Sequence, residues 1–239
     1  MAYGTESVPR VDVVAGPGNV FVTLAKKQLY GEVGIDGLYG PTETLVVADE
    51  AANPTACAAD LVAQAEHDFQ ATPVLVTTSR AFAETVQKEA RARAIRLERS
   101  AEAQAALEQR GCIAVVANLG EAFELAAAFA PEHISLMVRD PWRQLSRVRN
   151  AGVVFLGESS HEVLGDYVAG PSHVMPTGGT ARFSSGVGVR SFLRTTPVVG
   201  LSRETAASLT QTASVLARAE GFTGHAEAAE LRDELRGED

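Results

Sequence analysis

Long apolar runs and basic charge are both scarce in this sequence. No stretch approaches the roughly 18 consecutive apolar residues of a membrane span, and the first ten residues, MAYGTESVPR, lack the charged-then-apolar order of a signal peptide. We therefore expect a cytoplasmic protein without a membrane span. The formal net charge of −9 argues against nucleic acid as a partner, because phosphate contacts need clustered Lys and Arg.

Cysteine is scarce as well. The two cysteines, Cys57 and Cys112, lack CxxC spacing, which argues against a disulfide framework. Both stand in apolar segments, so we expect two buried free thiols. What the sequence does have is 239 residues with 46% hydrophobic content, enough to bury a substantial core.

Short β-branched runs alternate with longer helical patterns along most of the chain. This alternation predicts an α/β fold with a Rossmann-like parallel sheet and crossover helices. The predicted strands span residues 11–15, 44–49, 74–79, 113–118, 134–138 and 152–157. One predicted helix begins at the Asn53-Pro54 cap, and a second runs from Ser79 to about Leu107. Two more predicted helices span residues 119–129 and 141–148.

The last third of the chain differs in composition and in predicted secondary structure. Residues 165–189 are rich in Gly and Pro, and such a long irregular segment inside a compact protein is usually functional. From Ser202 the chain is helical again, in two pieces broken near residues 221–224. We therefore predict an α/β region over residues 1–189 and a small helical appendage over residues 190–239.

A polar pair follows the buried-looking helix that begins after Asn53. Gln64 and His67 are three residues apart, a spacing that places both side chains on one helix face. They could supply two zinc ligands, with Asp166 and His225 completing the set. The spacing lacks the tight signature of HExxH, so the alternative is that the pair only caps its helix.

Glu132 and His133 stand directly before a predicted strand. Alternation along a strand sends neighbouring side chains to opposite faces, unless the backbone bends after Pro131. With such a bend both side chains could act as general bases in a cleft. From these residues alone, a loop acid beside a buried histidine is the favoured interpretation.

The segment VVAGPGNVF, residues 13–21, is similar to a phosphate-binding turn between a strand and a helix. Position 21 is Phe, so the GxGxxG fingerprint of dinucleotide-binding proteins is not met. Asn19 at the helix entrance could be a simple N-cap.

Several longer blocks, in this order, resemble one enzyme family. They are GPGNVFVTLAKKQLYGEVGID, GPTETLVVADE, DLVAQAEHD, APEHISL, GDYVAGPSHVMPTGGTARFSSGVGV and AEGFTGHAEAAELR. Together they resemble the zinc-dependent histidinol dehydrogenases from about Met1 to the C-terminal tail. The resemblance implies oxidation of L-histidinol through L-histidinal to L-histidine with two NAD, by a homodimer containing one zinc ion per active site.

The resemblance also implies a role for each matching residue. The implied zinc ligands, which also contact substrate, are Gln64, His67, Asp166 and His225. His133 matches the base that removes the alcohol proton and also a substrate contact, and Glu132 matches the base that activates water. Further implied substrate contacts are Thr42, His173 and Glu220, and Asn19 matches an NAD contact. Thr42 stands where the family commonly has Ser, and the family's tail, with Glu220 and His225, crosses to the partner subunit.

One departure from the family pattern concerns the start of the chain. Family members carry a long part before the match to Met1, so we expect a sheet that is incomplete on its N-terminal side and a Met1 that is internal to a longer protein. Two other functions stay open. The chain could be a zinc-binding remnant without turnover, or a dehydrogenase of this family for another small alcohol.

Overall fold

The computed structural model of the chain describes residues 1–234. The chain divides into two compact units, Met1–Phe192 and Leu193–Asp239, and the predicted boundary at residues 189 and 190 lies close to this division. None of the helices among the described residues is long and apolar enough to cross a membrane.

The first unit is built on a five-stranded parallel sheet. Its strands are β3 (Glu43–Ala48), β4 (Thr72–Thr77), β5 (Cys112–Val115), β6 (His133–Met137) and β7 (Val153–Leu156). They lie in the order β5-β4-β3-β6-β7, and every neighbouring pair is parallel. The central strand β3 has buried residues on both faces, as expected of a parallel sheet covered by helices. The predicted α/β fold with a parallel sheet is confirmed.

Helices connect these strands and cover the sheet, and one more helix follows the last strand. They are α2 (Pro54–Ala65), α3 (Arg80–Ala94), α4 (Ser100–Gln109), α5 (Leu119–Phe129), α6 (Pro141–Gln144) and α7 (Glu162–Tyr167). Asn53 and Ser79 cap α2 and α3 as predicted, each accepting a hydrogen bond from a backbone N–H of the first turn.

The core has two parts, one on each face of the sheet. Alternate residues of β3 point to opposite faces, so Val46 belongs to the part formed with α2, α3 and α4, and Leu45 to the part formed with α5. Cys57 is fully buried in the first part. Cys112 is exposed, because β5 is an edge strand, so the prediction of a second buried thiol is wrong.

Residues 1–40 contain a much smaller sheet. Strands β1 (Val13–Val14) and β2 (Gly34–Ile35) form a two-residue parallel ladder and flank helix α1 (Val20–Leu29). The strand predicted over residues 11–15 is therefore mostly unpaired, and β2 was not predicted. Helix α1 has one buried residue, Lys26, while its apolar Phe21 and Leu24 are exposed.

Three predicted segments, besides the small shifts at strand ends, differ from the structure. The helix predicted to run from Ser79 to about Leu107 is two helices, α3 and α4, separated by residues 95–99. The helix predicted over residues 141–148 is shorter, with α6 followed by the 3-10 turn Leu145–Arg147. The irregular segment predicted over residues 165–189 begins inside α7, so Asp166 lies on a helix rather than in a loop.

The second unit is a helical hairpin. It consists of α8 (Arg203–Ala219) and α9 (Thr223–Glu234), which meet at Gly221 with a positive φ of 82°. This break lies where the sequence predicts it, because only glycine adopts such a φ at no steric cost. Ser202 caps α8, and Arg218 pairs with Glu230 across the hairpin at 2.7 Å.

Candidate active site

The candidate site lies at the amino ends of the central strands. Thr42 directly precedes β3, and Glu132 directly precedes β6, which pairs with β3. Ala130 adopts a left-handed conformation, with φ 55° and ψ 63°, two residues before Glu132. That conformation ends α5, and the backbone bends at Glu132 itself, directly before β6. Glu132 and His133 both line one cavity, as the sequence required of such a bend.

A cavity of about 380 Å³ brings together six of the predicted site residues. They are Thr42, His67, Glu132, His133, Asp166 and His173. A larger cavity of about 490 Å³ lies among residues of α3, α4 and β5, and the predicted site residues are absent from its lining. The chemistry-bearing side chains therefore converge on the smaller cavity.

A hydrogen-bond chain joins Gln64 to Glu132 through Thr42. The Gln64 amide nitrogen donates to the Thr42 hydroxyl at 2.6 Å, and this hydroxyl donates to Oε2 of Glu132, also at 2.6 Å. The Glu43 backbone N–H donates to the same carboxylate oxygen at 3.0 Å. Gln64 is fully buried, and its Oε1 has no hydrogen-bond partner within residues 1–234.

His133 is buried among carboxylates. Its Nδ1 lies 3.0 Å from the Glu43 carbonyl oxygen and 3.7 Å from Oε2 of Glu132, while Nε2 lies 3.6 Å from Oδ1 of Asp166. Burial lowers the pKa of His133, but Asp166 and the charges of Glu162 and Glu132 outweigh it and raise the pKa to about 9. Burial raises the pKa of Glu132, against the lowering effect of His133.

His67 and Asp166 reach the cavity from two different segments of the first unit. His67 lies just beyond the end of α2 rather than on it, and its Nδ1 is 3.0 Å from the carbonyl oxygen of Ala63. Its other ring nitrogen makes none of the hydrogen bonds found among the described residues. Asp166 lies on α7 with 17% of its side chain exposed. Of the four predicted zinc ligands, His67 and Asp166 line the cavity. Gln64 is fully buried and outside that lining, and its hydrogen bond to Thr42 links it to the cavity.

The remaining predicted residues lie elsewhere. Asn19 caps α1 by accepting hydrogen bonds from the backbone N–H groups of Phe21 and Val22, so its N-cap interpretation is correct and an NAD contact stays a prediction. Glu220 and His225 belong to the second unit, where Glu220 ends α8 and His225 lies in the first turn of α9. Both are exposed within that unit.

Two carboxylates of the site were missed by the sequence reasoning. Glu162 is 3% exposed, and its Oε1 lies 3.5 Å from Nδ1 of His133. Burial raises the pKa of Glu162 to about 7. Glu43 has a raised pKa for the same reason, and its Oε1 accepts a hydrogen bond from the Gly178 N–H at 3.0 Å. The spacing of Glu162 and Asp166, one helical turn apart, was an available signal for the first of them.

Comparison with known proteins identifies the family. The Histidinol dehydrogenase family model matches residues 1–233. The chain belongs to the histidinol dehydrogenase family. It is 53% identical to a histidinol dehydrogenase of Thermus thermophilus over 232 residues, covering 97% of this chain and 56% of the relative. A histidinol dehydrogenase of Deinococcus radiodurans is also 53% identical, over 234 residues, with 97% and 53% covered.

A solved structure gives the same result. The crystal structure of histidinol dehydrogenase from Elizabethkingia anophelis matches with a TM-score of 0.93 and 32% identity, covering 99% of this chain and 55% of that one. The predicted family membership is therefore confirmed. The chain spans about half the length of the histidinol dehydrogenases that it matches.

Proposed function

We propose that the chain carries the zinc and acid–base site of an L-histidinol dehydrogenase, which oxidises L-histidinol through L-histidinal to L-histidine with two NAD. The observation that supports this most directly is the convergence of Glu132 and His133 with His67, Asp166 and His173 on one cavity. A site with two differently placed bases beside nitrogen and carboxylate ligands suits a two-step oxidation that needs two separate proton acceptors.

The donor set of the first unit fits zinc. His67 offers an imidazole nitrogen, Asp166 a carboxylate and Gln64 an amide oxygen, which are nitrogen and oxygen donors of the kind that zinc accepts. The unpartnered Oε1 of Gln64 is otherwise a buried polar atom that costs stability. His225 is the proposed fourth ligand. Bound zinc would orient the imidazole and amine of the substrate and polarise its alcohol oxygen.

His133 is the proposed acceptor of the alcohol proton. The Glu43 carbonyl oxygen accepts from Nδ1–H, which leaves Nε2 as the basic atom on the Asp166 side. The surrounding carboxylates raise the pKa of His133, so its basicity is high. A cation held by Asp166 would offset the charge of that carboxylate and so favour the neutral imidazole that a base requires.

Glu132 is the proposed base for the second oxidation. Its buried carboxylate has a raised pKa, and a raised pKa brings a carboxylate closer to the range of an effective base near neutral pH. It would take a proton from the water that attacks the aldehyde carbon. NAD, bound near Asn19, would accept the hydride in each step, so that one alcohol and one water yield a carboxylate, two NADH and three protons.

The second unit is proposed to complete the site of a partner subunit. Its hairpin presents the exposed apolar side chains of Leu209, Val215 and Leu216, which suit packing against another protein surface. Glu220 would contact substrate there and His225 would ligate zinc. Two free cysteines fit the reducing cytoplasm that we propose as the site of action.

The test is to supply the purified chain with zinc, NAD and L-histidinol, and to measure NADH formation and bound zinc together. We expect Asp166→Asn and His67→Ala to lose zinc, and His133→Asn to keep zinc but lose NADH formation. We expect Glu132→Gln to yield less than two NADH per histidinol. Glu124→Gln, an exposed carboxylate on α5, is the matched control and should behave as the original chain.

Each alternative function has its own outcome. Bound zinc without NADH formation would support a zinc-binding remnant and contradict turnover by this chain. Equal activity on a small alcohol that lacks the imidazole would contradict histidinol as the specific substrate. If the chain neither binds zinc nor forms NADH, the proposal is overturned.

A further inference from the structure

Glu162 is a buried carboxylate without a role in the proposed mechanism. It lies at the start of α7, with its Oε1 at 3.5 Å from Nδ1 of His133. Its other oxygen, Oε2, is buried and has no hydrogen-bond partner within residues 1–234. Burying a carboxylate costs several kcal/mol unless a partner compensates for the lost solvation. His133, and after it the Thr44 hydroxyl, lower the pKa of Glu162 and are the partners that compensate for its burial.

Glu162 and Asp166 bracket the ring of His133. They stand four residues apart on α7, so both side chains lie on one face of the helix. Glu162 approaches Nδ1 at 3.5 Å, and Asp166 approaches Nε2 at 3.6 Å. One helix therefore presents a carboxylate to each of the two nitrogens of the ring.

The oxygen atoms around Nδ1 favour one tautomer. The Glu43 carbonyl lies at 3.0 Å, Glu162 at 3.5 Å and Glu132 at 3.7 Å from this nitrogen. With a proton on Nδ1 these oxygens face a donor, whereas without it they would face a lone pair and repel it. Outer carboxylates that orient a histidine commonly affect activity strongly, although they do not touch the substrate.

A direct metal-binding role for Glu162 is the competing explanation. Donor atoms of His133, Glu162 and Asp166 lie within 4.8 Å of one another, a grouping that could hold a cation. His133 and Asp166 line the cavity, whereas Glu162, like Gln64, is absent from its lining. The zinc content of a Glu162 variant therefore decides between a metal-binding role and a role toward His133.

We propose that Glu162 is a positioning residue for His133, holding the ring with Nδ1 protonated so that Nε2 is the proton acceptor on the cavity side. This rests on the proposed function, because it assigns the orientation of the base in that reaction. Glu162 itself neither binds zinc nor contacts substrate.

The test compares Glu162→Gln and Glu162→Asp with the original chain, all loaded with zinc. Glu162→Gln removes the charge at nearly constant volume. We expect kcat for NADH formation to fall about 10-fold or more, while KM stays within about twofold and zinc stays at the original stoichiometry. We expect Glu162→Asp to recover part of kcat. Glu124→Gln is again the control for a carboxylate-to-amide change.

A second readout does not depend on turnover. Nitrogen-15 spectra of the histidine ring nitrogens, recorded where the His133 ring is neutral, report which nitrogen carries the proton. We expect the original chain to show the Nδ1–H form, and Glu162→Gln to show a mixture of both forms. If the original chain forms no NADH, the proposed function fails, and these spectra alone decide the role of Glu162.

Three outcomes would overturn the positioning role. Loss of zinc in Glu162→Gln would make Glu162 a metal ligand. An unchanged kcat would show that orientation of His133 does not depend on it. An unchanged tautomer in the spectra would show that the Glu43 carbonyl alone fixes the ring.

Discussion

The side-chain amide of Gln64 donates a 2.6 Å hydrogen bond to the hydroxyl of Thr42. Because that hydroxyl gives its own proton to Glu132, it accepts on one side and donates on the other. The arrangement orients the Gln64 amide with its oxygen unpartnered, and it holds the Glu132 carboxylate in place. A proposed zinc ligand and a proposed base are thus positioned by one hydroxyl group.

We expect Thr42→Val to damage both stability and the site. The valine keeps the shape but leaves the Gln64 amide and the Glu132 carboxylate each short of a buried hydrogen bond, at a cost of about 1–3 kcal/mol per group. Thr42→Ser keeps the hydroxyl, as in the family pattern, and should retain most of the stability. Urea unfolding of the three proteins, with zinc content measured in parallel, checks this. Equal stability of the valine and serine variants would contradict the role of the hydroxyl.

The sheet was predictable because β-branched runs and helix caps are local signals. Five of the six predicted strands match strands of the main sheet to within two residues at their starts. The ladder of β1 with β2 was not predictable in the same way, since Gly34–Ile35 is too short to show a pattern. Strand order cannot be read from local patterns either, because it depends on which crossovers pack best.

The site was predictable only where a motif marks it. Spacing and position made Gln64, Glu132 and His133 candidates, but left other interpretations open. The resemblance to the family gave each of them a role. Glu162 stands in none of these blocks, and its four-residue spacing from Asp166 was the signal available for it. Only the fold shows that it faces His133. Burial of a carboxylate is a tertiary property, so the sequence could not reveal its raised pKa.

We expect Leu136→Ala to destabilise the fold without altering the chemistry of the site. Leu136 is fully buried in β6, the strand that carries His133 at its start, and it packs in the part of the core formed with α5. Loss of its side chain should cost about 2–5 kcal/mol, and Leu136→Met should cost less than about 1.5 kcal/mol. Urea unfolding measures both. At urea concentrations below the unfolding transition, the zinc bound per folded chain should be unchanged. A loss of zinc at these concentrations would mean that the packing of Leu136 also sets the geometry of the site.

We expect Lys26→Met to loosen the turn GPGN, residues 16–19, that precedes α1. Lys26 is buried and pairs with Asp36 at 2.6 Å, and Asp36 also accepts the Gly16 backbone N–H at 2.7 Å. Removal of one partner leaves a buried unpaired charge, which costs about 3–5 kcal/mol. The cost should be smaller when Lys26→Met is made in an Asp36→Asn background, because no charge is then stranded. Hydrogen exchange at the Gly16 N–H measures the local effect, and an equal cost in both backgrounds would show that the pair is not coupled.

Asp60 should make the stability of the fold depend on pH. It is 7% exposed on α2, its Oδ2 has no hydrogen-bond partner within residues 1–234, and burial raises its pKa from 3.8 to about 6, against a lowering effect of His161. A raised carboxyl pKa means that the folded state binds its proton more tightly than the unfolded state. The free energy of unfolding should therefore fall as pH rises from about 4 through 6.

Asp60→Asn removes this titration, so it should unfold with little slope over that window. Since one pKa unit corresponds to about 1.4 kcal/mol and partial solvent access reduces the gain, the variant should be more stable than the original chain by about 1–2 kcal/mol at pH 8. At pH 4 the difference should vanish, because Asp60 is then protonated in the folded protein. Glu84→Gln, on the exposed face of α3, controls for the loss of one negative charge. Urea unfolding at pH 4, 6 and 8 provides the comparison, and a parallel pH dependence of Asp60→Asn and Glu84→Gln would show that Asp60 is not the titrating group.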